Sequence, residues 1–345
     1  MQTKDIVVRS AQLPGLDLLK FSMAICVVAI HSRLFRDVPW LHPLVHPLFL
    51  TAVPVFFIVS SYLFFSKVAR NGNADGWDVL GHYLKRMGLF YLFWFVVMLP
   101  VTIVAKQWYL HFGAGVFFRS LFLGSTFRGS WFIMALLLGI PIVFMARKAL
   151  GAPVVFFLAL AVYMASLPAL EGAFPVLDWI GRKTFTSSLL WIALGAWLAD
   201  MPSPSSLPPT SHKRFFFVSQ TILRWMALLV VYALMIAAEH VEARSAVALL
   251  KPILKLAFVS LLFALALECR IGNAALCLRL RQLSILIYVI HFVFAYATAF
   301  ARQKYPVFGN GFLRFSVVFG SALVVSSLFL WLKDKPRFSW LKWGV

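Results

Sequence analysis

The sequence predicts an all-α fold: a polytopic membrane bundle of about ten transmembrane helices, with both termini cytoplasmic. Three observations carry that prediction. Of 345 residues, 62% are hydrophobic and 13% charged, with a mean hydropathy of +0.87; a water-soluble chain is about a quarter charged. The apolar residues fall into runs near the roughly 20 residues that a helix needs to cross about 30 Å of hydrocarbon. The cations stand between the runs, 18 on the side of the N-terminus against 13 on the other, and the richer side is cytoplasmic by the positive-inside rule.

The runs lie near 15–34, 46–66, 87–105, 131–146, 150–168, 184–199, 218–238, 248–267, 283–300 and 314–332. The first is longer than a secretory apolar segment and no small-residue cleavage site closes it, so it is expected to stay as a membrane helix. The stretch "MPSPSSLPPTSHKR", 201–214, reads as a solvated cytoplasmic connection because its prolines and serines cannot continue an apolar helix. No polar stretch is large enough for a soluble domain, so residues 1–345 read as a single membrane domain that carries the function itself.

Several function classes lose support at this stage. The net charge of +20 comes from short clusters between runs, not from a basic stripe with an aromatic platform. Membrane lipids, not nucleic acid, are the expected partner. Cys26, Cys269 and Cys277 are too scattered for a disulfide framework or a CxxC metal site. The patterns HExxH, GxSxG and GxxxxGK[ST] do not occur, so neither a metal nor a resident cofactor is expected.

The first run, "GLDLLKFSMAICVVAIH", carries ionisable residues that are costly inside a bilayer. Lys20 and His31 are 11 residues apart, which puts them about 20° apart on one face and about 16 Å apart along the axis. Asp17 stands one turn before Lys20. A plainer account has Lys20 snorkelling and His31 ending the helix near the headgroups.

Further polar positions recur along the chain. Ser284, Tyr288 and His291 fall at i, i+4 and i+7, one stripe of an otherwise aliphatic span, and should face the interior; the stripe could also serve only to hold helices together. Ser60 and Ser61 suit close helix approach, and Trp131 with Phe132 suits an interfacial belt. Lys85 and Arg86 open the third span, and Lys251 and Lys255 stand one turn apart near an outer end, as anchors or as anion contacts. Glu171 and Asp178, with Arg182 and Lys183, read as a solvated loop.

Four stretches, taken in order, resemble the acyltransferase 3 family of membrane O-acyltransferases. "GLDLLKFSMAICVVAIH" is similar to its Arg-x10-His first helix, with Lys20 in place of arginine. "VPVFFIVSSYLFF" resembles its Phe-Phe-x-x-Ser-Gly-Tyr-Leu segment, with Ser61 where glycine is usual. "SWFIMALL" resembles its Trp-Phe-Leu helix entry. "LSILIYVIH" resembles its Ser-Tyr-x-x-Tyr-Leu-x-His segment, with Ile285 where the first tyrosine stands.

The resemblance implies an O-acyltransferase of a bacterial inner membrane. Its donor would be acetyl-CoA from the cytoplasm, and its acceptor a hydroxyl of an exported or lipid-linked glycan. It also implies His31 as the catalytic residue, either as general base or through an acyl-histidine. Lys20, Asp17, Lys85 and Arg86 would bind the acyl-CoA, although lysine keeps the charge of the expected arginine without its bidentate fork. Ser60, Trp131, Ser284, Tyr288 and His291 would line the acceptor pocket. A transporter or flippase of a polysaccharide pathway is the alternative, since polar residues in a bundle also mark translocation paths.

Overall fold

The computed structural model describes residues 13–71, 76–104, 113–122, 126–167, 186–201, 211–239 and 249–345. The loop residues Glu171, Asp178, Arg182 and Lys183, and positions 202–210 of the proline-rich connection, lie outside them. Every regular element described is helical. In chain order these are α1 Pro14–Ser32, α2 His42–Phe49, α3 Ala52–Arg70, α4 Trp77–Val104, α5 Ala114–Phe122 and α6 Ser130–Leu150. There follow α7 Ala152–Ala165, α8 Ser188–Leu198, α9 Ser211–Glu239, α10 Leu250–Glu268, α11 Ala274–Lys304 and α12 Gly311–Lys333. The 3-10 segments Pro306–Gly309 and Pro336–Gly344 precede and follow α12.

Eight helical segments among the described residues are long and apolar enough to cross a membrane, with α2 and α3 counted as one over His42–Arg70. The runs expected at 150–168 and 184–199 form α7 and α8, of 14 and 11 residues. At 1.5 Å per residue these reach about 21 and 17 Å, less than the hydrocarbon thickness. Helix α8 is nevertheless enclosed: Leu190, Trp191, Ile192, Ala193, Leu194 and Ala196 are all buried, against α3, α6 and α7. Its approach to α3 depends on Gly195, because a Cβ there would overlap the Ser61 hydroxyl and the Ile58 carbonyl. Ser61 is buried and donates to that carbonyl at 3.1 Å, while Ser60 is half-buried.

Local sequence sets the ends of the helices that matter for the site. Pro14 opens α1, where its missing N–H is not needed. Arg33, at φ 58°, closes α1 in the left-handed region, and its N–H donates to the Ala29 and Ile30 carbonyls. Asn273 and Asn310 cap α11 and α12, their side chains accepting the Leu276 and Leu313 N–H at 3.0 and 2.9 Å.

Helix α1 sits centrally, against α3, α10, α11 and α12. The charge that the sequence leaves inside the α9 span is paired, as burial demands. Arg224 of α9 pairs with Glu268 of α10, which also accepts from the Thr221 hydroxyl at 2.9 Å.

Candidate active site

Two polar rungs join α1 to α11. At one end Asp17, 2% exposed, accepts both arms of Arg281: Nε to Oδ1 at 2.7 Å and Nη2 to Oδ2 at 2.9 Å. At the other end the rings of His31 and His291 lie 5.3 Å apart between centroids, with Phe292 4.8 Å from His31. The rungs occur in the same order on both helices, so the helices run parallel. They are separated by fourteen residues on α1, about 21 Å, and ten on α11, about 15 Å; the reach of the arginine side chain takes up the difference.

The α11 partners belong to one stripe. Arg281, Ser284, Tyr288, His291, Thr298 and Arg302 all fall within about 100° around the helix. Ser284 donates to the Arg281 carbonyl at 2.8 Å. His291 is fully buried, and its Nδ1 lies 3.0 Å from the Ile287 carbonyl. A carbonyl only accepts, so Nδ1 carries the proton and Nε2 keeps a lone pair. That Nε2 is buried with no hydrogen-bond partner among the described residues. His31 is only half-buried, so it is the more accessible member of the pair.

A tight turn before α6 holds the histidine rung from one side. The Tyr288 hydroxyl donates to the Gly129 carbonyl at 3.2 Å, and the Tyr91 and Thr126 hydroxyls are 2.5 Å apart. Gly129 has φ 88°, and a Cβ there would strike the Phe292 ring, so position and conformation both demand glycine. The turn also presents Arg128, whose guanidinium lies 5.5 Å from the centre of the Tyr296 ring. Arg128 and Arg314 are within electrostatic range of His31. Arg314 contacts the Thr298 hydroxyl at 3.4 Å and the Ala295 carbonyl at 3.5 Å. The histidine rung therefore faces a cationic rim.

At the opposite rung lies a cavity of about 350 Å³ whose lining includes Arg86 and Arg281. Lys20, 8% exposed, stands within electrostatic range of Asp17, Arg281 and Arg86 but is not part of the lining. Lys85 is exposed and also outside the lining, because neighbours on a helix point about 100° apart. Trp131 is half-buried with its ring 6.1 Å from Phe57. The ring contact from this pair to the stripe comes from Phe132, 5.1 Å from Tyr288.

Sequence reasoning missed Arg281, Arg128 and Arg314. For Arg281 a signal existed, since it extends the Ser284 stripe by three residues. It stands just outside the apolar run, which begins only at 283, so hydropathy alone groups it with the loop cations.

A family model described as an acyltransferase domain matches residues 13–331. The chain is also similar to an amino-acid racemase of Enterococcus faecalis, 23% identical over 155 residues, which cover 44% of this chain and 22% of that protein. It is similar over more of its length to a serine/alanine racemase of Enterococcus gallinarum, 22% identical over 348 residues, 95% of this chain and 47% of that protein. The chain thus spans about half, or less, of the curated relatives it matches. No solved structure matches it.

Proposed function

The chain belongs to the acyltransferase 3 family, and from that premise we propose that it moves an acetyl group from cytoplasmic acetyl-CoA to a sugar hydroxyl of an exported or lipid-linked glycan, in a bacterial inner membrane. That it is an integral, multi-pass membrane protein rests on the family and on its eight apolar helices. The racemase names belong to longer proteins of which the chain matches a part.

One observation carries the reading: a cation-bearing cavity and a histidine pair stand at opposite ends of a single helix seam, about 15 Å apart along α11. Coenzyme A has the same layout, with phosphates at one end and a thioester at the far end of its pantetheine arm. Phosphates held beside Arg86 and Arg281 leave that arm to follow the seam toward His31. Lys20 adds charge behind Arg281, and the Asp17 carboxylate holds the Arg281 fork in one orientation.

At the thioester, the acceptor oxygen attacks the carbonyl carbon, the C–S bond breaks and the thiolate leaves. His31 takes the hydroxyl proton and returns it to the thiolate. In the two-step version, His31 itself attacks, coenzyme A leaves, and the acyl-imidazole is then cleaved by the hydroxyl. Either route needs one oriented imidazole, and the lone pair of His291 Nε2 suits the task of holding a His31 N–H. His291 is thus a positioning residue. Arg128 and Arg314 would stabilise the oxyanion that forms on the carbonyl.

The test uses the purified protein in lipid vesicles with acetyl-CoA, read as release of free thiol, together with mass spectrometry of surface glycans from cells with and without the gene. Thiol release and gene-dependent acetyl groups are the expected results. Solute movement across the vesicle with an untouched thioester would replace the proposal with the transporter reading.

A further inference from the structure

The cavity beside the Asp17–Arg281 rung has a wall that the family match does not reach. The match ends at residue 331, whereas the lining continues through Lys333, Ser339 and Lys342; Arg86 of α4 and Arg281 of α11 are among its other residues. Lys333 closes α12, and the other two belong to the 3-10 segment Pro336–Gly344.

That segment is fastened to the bundle. The Trp94 indole N–H donates to the Gly344 carbonyl at 3.1 Å, and Trp94 is itself stacked 6.0 Å from Phe329 of α12. Trp340 lies 5.9 Å from Phe93, and Leu341 and Gly344 are buried. The lining holds four cations and no acidic side chain. Two of the four have a neighbouring carboxylate: Arg281 is paired with Asp17, and Lys333 lies 3.9 Å from the exposed Asp334. Like charges gathered around one space repel each other unless an anion enters it.

We propose that this cavity is a polyphosphate clamp in which the end of α12 and the 3-10 segment hold the phosphate groups of the donor nucleotide, Lys333 and Lys342 supplying the contacts from outside the family domain. Its volume of about 350 Å³ lies near the lower end of small-molecule sites, about 300–1,000 Å³. It takes phosphates and part of a nucleoside, so the rest of a long donor must leave it along the α1–α11 seam. The inference rests on the donor reading given above, and its ligand class, a phosphoanhydride, can be probed separately from that reading.

The experiment measures binding of CoA and of inorganic pyrophosphate to the full chain in nanodiscs by calorimetry. The variants are Lys333→Ala, Lys342→Ala and, as a control of equal charge loss, Lys335→Ala. Lys335 is exposed, stacks on Trp331 at 4.9 Å and is outside the lining. The first two are expected to weaken both ligands about tenfold each and the control by less than twofold, consistent with charge-assisted contacts. Lys342→Arg should restore most of the loss. CoA binding that is normal in all variants would overturn the clamp while leaving the donor reading intact. Pyrophosphate binding that needs Lys342, in a protein that does not bind CoA, would support the clamp and sink the donor reading; wild-type protein that binds neither ligand would overturn both.

Discussion

Asp17 and Arg281, 264 residues apart in sequence, form a two-pronged ion pair at 2.7 and 2.9 Å that fixes α11 against α1. The same pair sets the phosphate end of the proposed donor path. Arg281→Ala would leave Asp17 buried and unpaired, a loss expected to destabilise the protein by about 3 kcal/mol. Asp17→Ala combined with Arg281→Ala should recover part of that stability without recovering donor affinity. Thermal unfolding in detergent alongside CoA titration checks both; additive losses of stability would mean that the two residues do not act as a pair.

On the proposed reading, His291 orients His31 and does not touch substrate. His291→Ala is expected to lower kcat about 100-fold with little change in KM for the donor, within the range of a misplaced base. His291→Gln keeps an acceptor near the position of Nε2 and should stay within about tenfold of wild type. Equal losses in the two variants would argue that the residue only packs the core.

Gly129 combines a positive φ with contact to Phe292. Gly129→Ala is expected to cost about 1–3 kcal/mol of stability and to displace the Arg128 turn from the histidine rung. A drop in turnover together with a lower Tm supports this; an unchanged Tm would show that the turn tolerates a side chain.

Neighbouring cations at the start of α4 should differ. Arg86→Ala is expected to raise the donor KM about tenfold, because Arg86 lines the cavity, and Lys85→Ala to raise it far less. Steady-state kinetics at varied acetyl-CoA distinguish them, and equal effects would place the donor on the outer face of α4 instead.

Much of this architecture is legible in composition and period. The apolar runs mark the long helices, and the i, i+4, i+7 spacing of Ser284, Tyr288 and His291 correctly places that stripe inside. The pairing of α1 with α11 is not legible, because periodicity says which face is buried but not what covers it. Arg281 was lost for a related reason: helix α11 continues nine residues before the apolar run at 283, and a window that measures hydropathy assigns that charged turn to a loop. Helix α8 reads as a full span because hydropathy does not distinguish contact with lipid from enclosure by protein, whereas α7, with Val154, Phe157 and Leu158 exposed, reads as one on its apolar composition. Arg128 and Arg314 stand at the edges of apolar runs, where sequence does not separate them from loop cations, and only tertiary packing of the turn and of α12 brings them near His31.

The central claim is that His31 carries out acyl transfer at the end of the seam opposite the cation-lined cavity. It is tested most directly with [acetyl-14C]acetyl-CoA in a single turnover, comparing wild-type protein with His31→Ala matched for abundance and CoA affinity. The account predicts that label leaves CoA in the wild type and stays on CoA in the variant, with CoA still bound. Label leaving CoA at the wild-type rate without His31 would contradict it.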